Sequence, residues 1–470
     1  MLIAPDQPLP FVRNYIEQLD NGLIKHAGDG LSLAQKAWLG FCLMGILITN
    51  SICWSRFERA SLKCYRFSAL SWMFRNARIC WARLLPSSVR LILEAHGITG
   101  GVLVGDESDR ARSKGVKQIH KAHKLKDKKT GGYTLGQSIV LLLLVSPVIT
   151  IPVSFAFYQP DPRLKAWEKE DKRLKARGIA KKERPAKPSR DPRYPTKAAL
   201  LLELLVQFQS DFPGLEIKAI LADALYGHKG FMKPASQLFG GVQVVSQLRA
   251  NQLVHSRGKW ISLNTYFKRQ SGVVQNLPIR GAKTPTTVTA SAARLGVKAH
   301  GGKCFVIALK YEGETDYRYL VATDLSWRYL DIVRVYTLRW LVEVFFEDWK
   351  LYEGWGQLAK QTGEEGSSRG LILSLLLDHC LLLHPKQTAR LENKLPACTV
   401  GSLRDKSQMD AVVAFIQRLL NDKAPQEKLH QLADMLEQVF PLRDSAKHMN
   451  GRNLGRIAPS PSLKYRAMAA

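Results

Sequence analysis

The sequence predicts an α/β fold, with a β-rich stretch between 239 and 327 and helical N-terminal and C-terminal regions. Three observations support this. The apolar runs Gly100–Val104 and Ile217–Ala222 have strand character, and each meets an aspartate within two residues. Between 239 and 327, VQVVSQL, KCFVIALKY and YRYLVATDL read as strands separated by Gly, Asn and Thr-rich turns. Helical patterns fill residues 1–95 and parts of 385–470.

The chain has 470 residues, 46% hydrophobic and 9% aromatic, enough for more than one core. Its 69 Lys and Arg outnumber 40 Asp and Glu, for a net charge of +29. A surplus that large points to a polyanion, most commonly nucleic acid. An anionic membrane is the competing partner. Ala37–Trp54 is just long enough to span a bilayer, but Thr49, Asn50 and Ser51 interrupt it and basic residues flank both ends. It is expected to be a buried helix, and no membrane partner is expected. Seven scattered cysteines, with no CxxC pair and no adjacent zinc pattern, predict reduced and mostly buried thiols. The N-terminus MLIAPDQPLP lacks the basic-then-apolar build of a signal peptide.

Five regions are expected along the chain. Residues 1–95 form a helical N-terminal DNA-binding region, in which Arg56, Arg59, Lys63, Arg66, Arg75, Arg78, Arg83 and Arg90 interleave with Trp54, Trp72 and Trp81. Residues 96–238 form the first part of the core, 239–328 the β-rich insertion, 329–385 the second part of the core and 386–470 a helical, basic C-terminal region. Within the core, Arg110–Lys129 reads as a basic loop, and Ile139–Phe157 as two core strands around Ser146-Pro147. Residues 159–194 read as an exposed basic linker or solvated helix, and Thr196–Phe208 as a helix.

Tyr336, Arg339, Glu343 and Lys350 stand at relative positions 0, 3, 7 and 14 in YTLRWLVEVFFEDWK. On one continuous α-helix they fall at roughly 0°, 300°, 340° and 320°. One narrow face then carries a phenol, a guanidinium, a carboxylate and an ammonium. Leu338, Leu341, Val342, Phe345 and Trp349 fall at about 140–240° and predict the anchoring stripe. A plain surface helix also carries charge, but it has no need of four chemically different groups on one face.

Asp106 follows VLVG, Asp223 follows AILA, and Glu343 lies on the helix, each more than 100 residues from the next. Three carboxylates suit phosphoryl transfer on DNA. Two Mg²⁺ ions roughly 3.5–4 Å apart activate the attacking oxygen and stabilise the leaving one. Mg²⁺ prefers hard oxygen ligands, so no Cys or His is required. The ions also relieve a repulsion of about 4 kcal/mol per like pair at about 4 Å and an effective dielectric near 20.

The Tyr-x2-Arg-x3-Glu-x6-Lys spacing resembles the signature of bacterial insertion-sequence transposases of the DDE type, the insertion-sequence-four family. Gly105-Asp106-Glu107-Ser108-Asp109 is similar to the family's first-Asp motif, with Asp106 on the metal-binding Asp and Ser108 on a Thr. Glu107 and Ser108 replace the more usual residues, which leaves Asp109 as an alternative first ligand. Ala222–Gly227 resembles the second-Asp motif, and the resemblance covers roughly residues 95–385.

It implies a ribonuclease-H-like core with Asp106 on the first strand, Asp223 on the fourth and Glu343 on the following helix. It also implies that Asp106, Asp223 and Glu343 are catalytic and bind two Mg²⁺, with Mn²⁺ as a substitute. Tyr336, Arg339 and Lys350 would then hold DNA phosphates. The implied partners are double-stranded DNA, at terminal inverted repeats and target, and a second copy in a synaptic complex. The implied location is the bacterial cytoplasm at the nucleoid. Competing readings are a related nuclease without strand transfer and a DNA-binding protein that has lost catalysis. Trp260 is expected to pack rather than stack on an unpaired base, and His120 and His123 to face phosphate or solvent.

Overall fold

The computed structural model describes residues 8–61, 65–112, 118–126, 132–277, 284–357 and 361–439. Five helices come first: α1 (Pro10–Ala27), α2 (Leu33–Thr49), α3 (Trp54–Ala60), α4 (Phe67–Asn76) and α5 (Trp81–Ala95). A capping box starts α2, where Ser32 Oγ accepts from Gln35 N and the Gln35 side chain accepts from Ser32 N. Every residue of α2 from Trp38 to Thr49 is buried, as the apolar run predicts. Among the described residues no single helix is long and apolar enough to cross a membrane. Trp54 and Trp81 pack with Trp38 and Phe74 in one aromatic cluster, whereas Trp72 is exposed. Two of the three tryptophans interleaved with basic residues are therefore core.

The core is built on β1 (Gly100–Ala111), β2 (His123–Lys126), β3 (Tyr133–Val145), β4 (Thr150–Tyr158), β5 (Glu216–Ala222) and β6 (Gln243–Leu248). β1 and β4 pair antiparallel with β3, while β5 pairs parallel with both β1 and β6. The path β4-β3-β1-β5-β6 is the ribonuclease-H-like arrangement, and β2 extends it beyond β3. Between β4 and β5 lie α6 (Pro162–Ala176) and α7 (Lys197–Asp211), and between β5 and β6 lies α8 (Lys229–Leu238).

Beyond β6 the same sheet continues through β7 (Leu253–Ser256), β8 (Lys259–Ser262), β9 (Val273–Leu277), β10 (Thr286–Val297), β11 (Gly302–Tyr311) and β12 (Arg318–Ala322). A short helix, α9 (Leu263–Phe267), interrupts it. β12 returns to pair antiparallel with β6, so β6 belongs to the parallel core and to the continuation at once.

Helices then close the fold: α10 (Tyr329–Thr337), α11 (Trp340–Tyr352), α12 (Gly363–Leu382), α13 (Pro385–Glu392), α14 (Val400–Leu420) and α15 (Pro425–Val439). The basic segment after Val439 lies outside the described residues. Alternation along β1 sorts the two faces of the sheet. Val102 and Val104 enter the core shared with α2, α11 and α12, and Leu103 enters the one shared with α7 and α8.

Three local expectations need correction. β1 does not stop before Asp106 but runs to Ala111, because β3 continues to pair with it through Ala111↔Gly136. The stretch read as a basic loop contains β2, which hydrogen-bonds to the other side of β3; Ser113–Val116, Lys117 and 127–131 lie outside the described residues. The single helix expected after Trp327 is two. Arg339 N bonds to Tyr336 O and Val342 N to Arg339 O, i→i−3 bonds that tighten the joint between α10 and α11.

Candidate active site

Parallel pairing of β1 with β5 puts Gly105 in register with Ala222, so the next residues, Asp106 and Asp223, leave adjacent positions. Gly105 keeps this strand close to α7, since a Cβ there would lie 2.3 Å from Leu201 Cδ2. Asp106 is buried: its Oδ1 accepts from Glu107 N at 2.8 Å and its Oδ2 from Arg339 Nη1 at 2.9 Å. Asp223 Oδ1 accepts from Leu225 N at 2.8 Å, and its carbonyl accepts from Ser246 Oγ.

Glu107 joins the pair. Carboxylate oxygens of Asp106, Glu107 and Asp223 all lie within 4.8 Å of one another. Glu107 is held from two sides, accepting from Lys197 Nζ at 2.9 Å and from the Tyr226 hydroxyl at 3.0 Å. Lys197 begins α7 and Tyr226 belongs to the loop after β5, so three elements meet at this carboxylate.

Like charges in a half-buried site raise the cost of ionisation. Burial pushes the Asp106 carboxyl up to about 7, with Asp223 adding to the rise and the Glu107 N–H and Arg339 opposing it. Burial and the Glu107 charge likewise raise Asp223. Burial and Glu107 hold the Tyr226 hydroxyl protonated, as a donor.

Arg339 Nη1 also lies 3.5 Å from Glu343 Oε1, so one guanidinium nitrogen stands between Asp106 and Glu343. The Glu343 side chain is 45% exposed and faces outward from α11. Lys350 follows two turns later, half-buried, its Nζ 5.4 Å from the Phe346 ring centroid. Burial and the neighbouring Arg110 lower its pKa, while Glu343, Asp109 and Asp106 oppose that shift. Tyr336 is buried beneath the end of β5, and its hydroxyl donates to the Ala222 carbonyl at 3.4 Å.

Thus Asp106 and Asp223 meet directly, Arg339 and Glu343 adjoin them, Lys350 lies at the rim and Tyr336 beneath. Asp109, the alternative first ligand, is exposed and hydrogen-bonded to Ser138 Oγ, outside the acid trio. Ser108 is buried with no hydrogen-bond partner for its hydroxyl. His120 and His123 are half-buried, with His120 Nε2 3.7 Å from Glu364 Oε1. His123 Nε2 lies 3.2 Å from Ser138 Oγ and Nδ1 2.9 Å from the Lys121 carbonyl, and burial lowers both imidazoles. Trp260 stands on the β7–β8 hairpin, 48% exposed, with its ring centroid 5.2 Å from that of His255. Sequence reasoning missed Glu107, Lys197 and Tyr226 as one unit. Its only local signal was a second acid directly after Asp106.

The donor set fits a hard divalent cation. It offers carboxylate oxygens alone, within one ion's reach, and burial, with the Asp223 charge adding to it, raises the Asp106 carboxyl in the absence of a cation. Against this geometry, the family described as DDE superfamily endonuclease matches residues 32–302, more than half of the chain. The chain belongs to the DDE superfamily endonucleases. In this DDE endonuclease the matched span includes Asp106, Glu107 and Asp223 and ends before Arg339, Glu343 and Lys350. Among solved structures, the piggyBac transposase synaptic complex with hairpin DNA is similar at 10% identity and a TM-score of 0.42, covering 93% of this chain and 84% of that one. No curated protein matches the chain.

Proposed function

We propose that this DDE endonuclease is a DNA transposase of the insertion-sequence-four type, cutting phosphodiesters at element ends and joining them to target DNA. The observation that carries the reading is the register that sets Asp106 beside Asp223, with Glu343 one guanidinium away. In this reading Asp106, Asp223 and Glu343 hold two Mg²⁺, or Mn²⁺ in their place. Bound there, the ions supply charge for the attacking and leaving oxygens of an in-line displacement.

The chain's own residues do the rest. Asp106 must lose its proton before it can serve as a ligand, and Arg339 helps by favouring the carboxylate. Arg339 and Lys350 offer a planar fork and a point charge to backbone phosphates. Tyr336 supports the end of β5 from beneath and so fixes where Asp223 emerges. Glu107, braced by Lys197 and Tyr226, holds β1, α7 and the loop after β5 together. The region division given above, with 1–95 as a DNA-binding region and 386–470 as a helical, basic C-terminal region, belongs to the same proposal, as do a homodimer on paired ends and a bacterial nucleoid setting.

The test uses the full chain with duplex DNA carrying the element's terminal inverted repeats, in Mg²⁺. Asp106→Asn, Asp223→Asn and Glu343→Gln should each abolish cleavage while end binding stays near wild type or tightens. Cleavage by Glu343→Gln at the wild-type rate would remove Glu343 from the site. Cut ends that never join to target DNA would leave a nuclease instead.

A further inference from the structure

Between β4 and α7 the chain makes an arm that the acid cluster does not use. Asp161 closes its base. Asp161 Oδ1 accepts from Arg163 N at 2.9 Å and Leu164 N at 3.4 Å to cap α6, and Oδ2 accepts from Asp191 N at 2.9 Å. The return leg is tied to the helix: Trp167 Nε1 donates to the Pro185 carbonyl at 2.8 Å, and Arg184 Nη1 pairs with Asp171 at 2.8 Å. Leu164 alone among the residues of α6 is buried, so the arm is internally braced while it stands in solvent.

Its charge is asymmetric. Residues 162–194 contain thirteen Lys and Arg against five Asp and Glu. Four of those acids are matched within the arm, as Glu168–Lys165, Glu170–Arg173, Asp171–Arg184 and Asp191–Arg193. Lys169, Lys172 and Lys175 are exposed and make no ion pair among the described residues. With Lys165 at 0°, Lys169, Lys172 and Lys175 fall at about 40°, 340° and 280°. Trp167, Asp171 and Leu174 fall at about 180–240°, and Trp167 and Asp171 bond to the return leg. Exposed pairs spaced three apart contribute little, so Lys165 and Arg173 can exchange their acids for phosphate.

The base of the arm lies at the acid cluster. Tyr158, the last residue of β4, has Lys197 Nζ 5.3 Å from its ring centroid, and that same nitrogen bonds Glu107 at 2.9 Å. An α6 of 15 residues is about 22 Å long, matching about six base pairs at 3.4 Å each.

We infer that this arm is a docking surface for the duplex flanking the cleavage site, with Lys169, Lys172 and Lys175 meeting its phosphates. The inference rests on the proposed action on DNA ends and adds where the flank lies. The test is the full chain carrying Lys169→Gln, Lys172→Gln and Lys175→Gln together, since Gln keeps helix propensity. Binding is measured by fluorescence anisotropy without divalent metal, on terminal-repeat duplexes whose flanks reach beyond the arm or stop short of it.

The wild-type chain should bind the long duplex about tenfold tighter than the triple variant does, with a salt slope greater by about two to three units at roughly 0.9 per phosphate. On the short duplex the two should agree. Equal slopes on the long duplex, or an equal loss on both duplexes, overturns the inference. A benzoylphenylalanine in place of Lys172 should photo-crosslink to flank DNA in an otherwise wild-type chain, and its capture of protein alone also overturns it. The two readings fail separately. Normal cleavage with an unaltered slope ends the arm proposal alone, whereas slope loss on random duplex with no terminal-repeat cleavage ends only the transposase reading.

Discussion

The Arg339 guanidinium donates to the buried Asp106 carboxylate at 2.9 Å, and the same nitrogen is 3.5 Å from Glu343. An arginine nitrogen between two acids does electrostatically what a divalent cation would do there, at the cost of occupying the space. Arg339 is thus both the partner that keeps the ion-free site tolerable and a group that must yield part of its contact when a cation binds.

Arg339→Ala should therefore destabilise the metal-free chain by about 2 kcal/mol, less than the 3–5 kcal/mol typical of a fully buried pair broken on one side, because Glu343 is half-exposed. Mg²⁺ should restore more stability to this variant than it adds to wild type. Thermal melts with and without Mg²⁺ read the difference directly. Equal metal-induced shifts in the two proteins would show that Arg339 and the ion do not share the site.

Much of the fold was legible where apolar residues run unbroken. Ile139–Phe157 lies in β3 and β4, and the helix read over Thr196–Phe208 is α7, because burial on both sides leaves a continuous apolar text. β1 past Asp106 was not legible, since Glu107, Asp109 and Arg110 have no strand pattern and are held by pairing with β3. The joint at Leu338–Arg339 was hidden for another reason: three-residue and four-residue bonding give nearly the same local periodicity. The motifs named Asp106, Asp223 and Glu343 as a group, but the register of Gly105 with Ala222 is a long-range fact. Glu107 read as a departure from a pattern, because its partners Lys197 and Tyr226 are about 90 and 119 residues away.

Gly227, directly after Tyr226, offers a test of how tightly the second-Asp loop is placed. A Cβ there would lie 2.1 Å from the Gln247 backbone carbonyl, whereas the one at Gly105 meets the side-chain ends of Leu201. Backbone cannot rotate aside. Gly227→Ala should move the loop that carries Asp223, costing about 3 kcal/mol and abolishing cleavage, while Gly105→Ala should cost about 1–3 kcal/mol by overpacking α7. Denaturant melts rank the two, and a milder effect at Gly227 would contradict the close approach.

Asp378 and Glu353 are buried acids away from the acid cluster, and both carboxylate oxygens of Glu353 lack a hydrogen-bond partner. Burial raises both, Asp378 to about 7. A carboxyl raised in the folded chain binds its proton there while the unfolded chain has released it. Stability is therefore full below the ordinary carboxyl range and falls as pH rises toward 7, by about 1.4 kcal/mol per unit for each carboxyl so raised. Asp378→Asn should flatten the fall between pH 4 and pH 7 in a series of chemical melts. A slope identical to wild type would mean that the pair titrates normally.

Glu107 and Glu343 compete for the place of third ligand, and their surroundings argue for different roles. Both oxygens of Glu107 are engaged, one by an ammonium and one by a protonated phenol, so a cation there would share oxygens that already accept hydrogen bonds. Glu343 has one long contact, to Arg339, and is otherwise open. Fe²⁺ substituted for Mg²⁺, with ascorbate and peroxide, cuts backbone beside the bound ion and reports ligands without any turnover. Cuts should appear near 106, 223 and 343 in wild type. Glu343→Gln should lose the cut near 343, while Glu107→Gln should keep all three and lose only about 1 kcal/mol of stability with its two hydrogen bonds weakened. The opposite pattern, with cutting near 106 lost in Glu107→Gln and retained in Glu343→Gln, would transfer the third position to Glu107 and leave Glu343 as a partner of Arg339 alone.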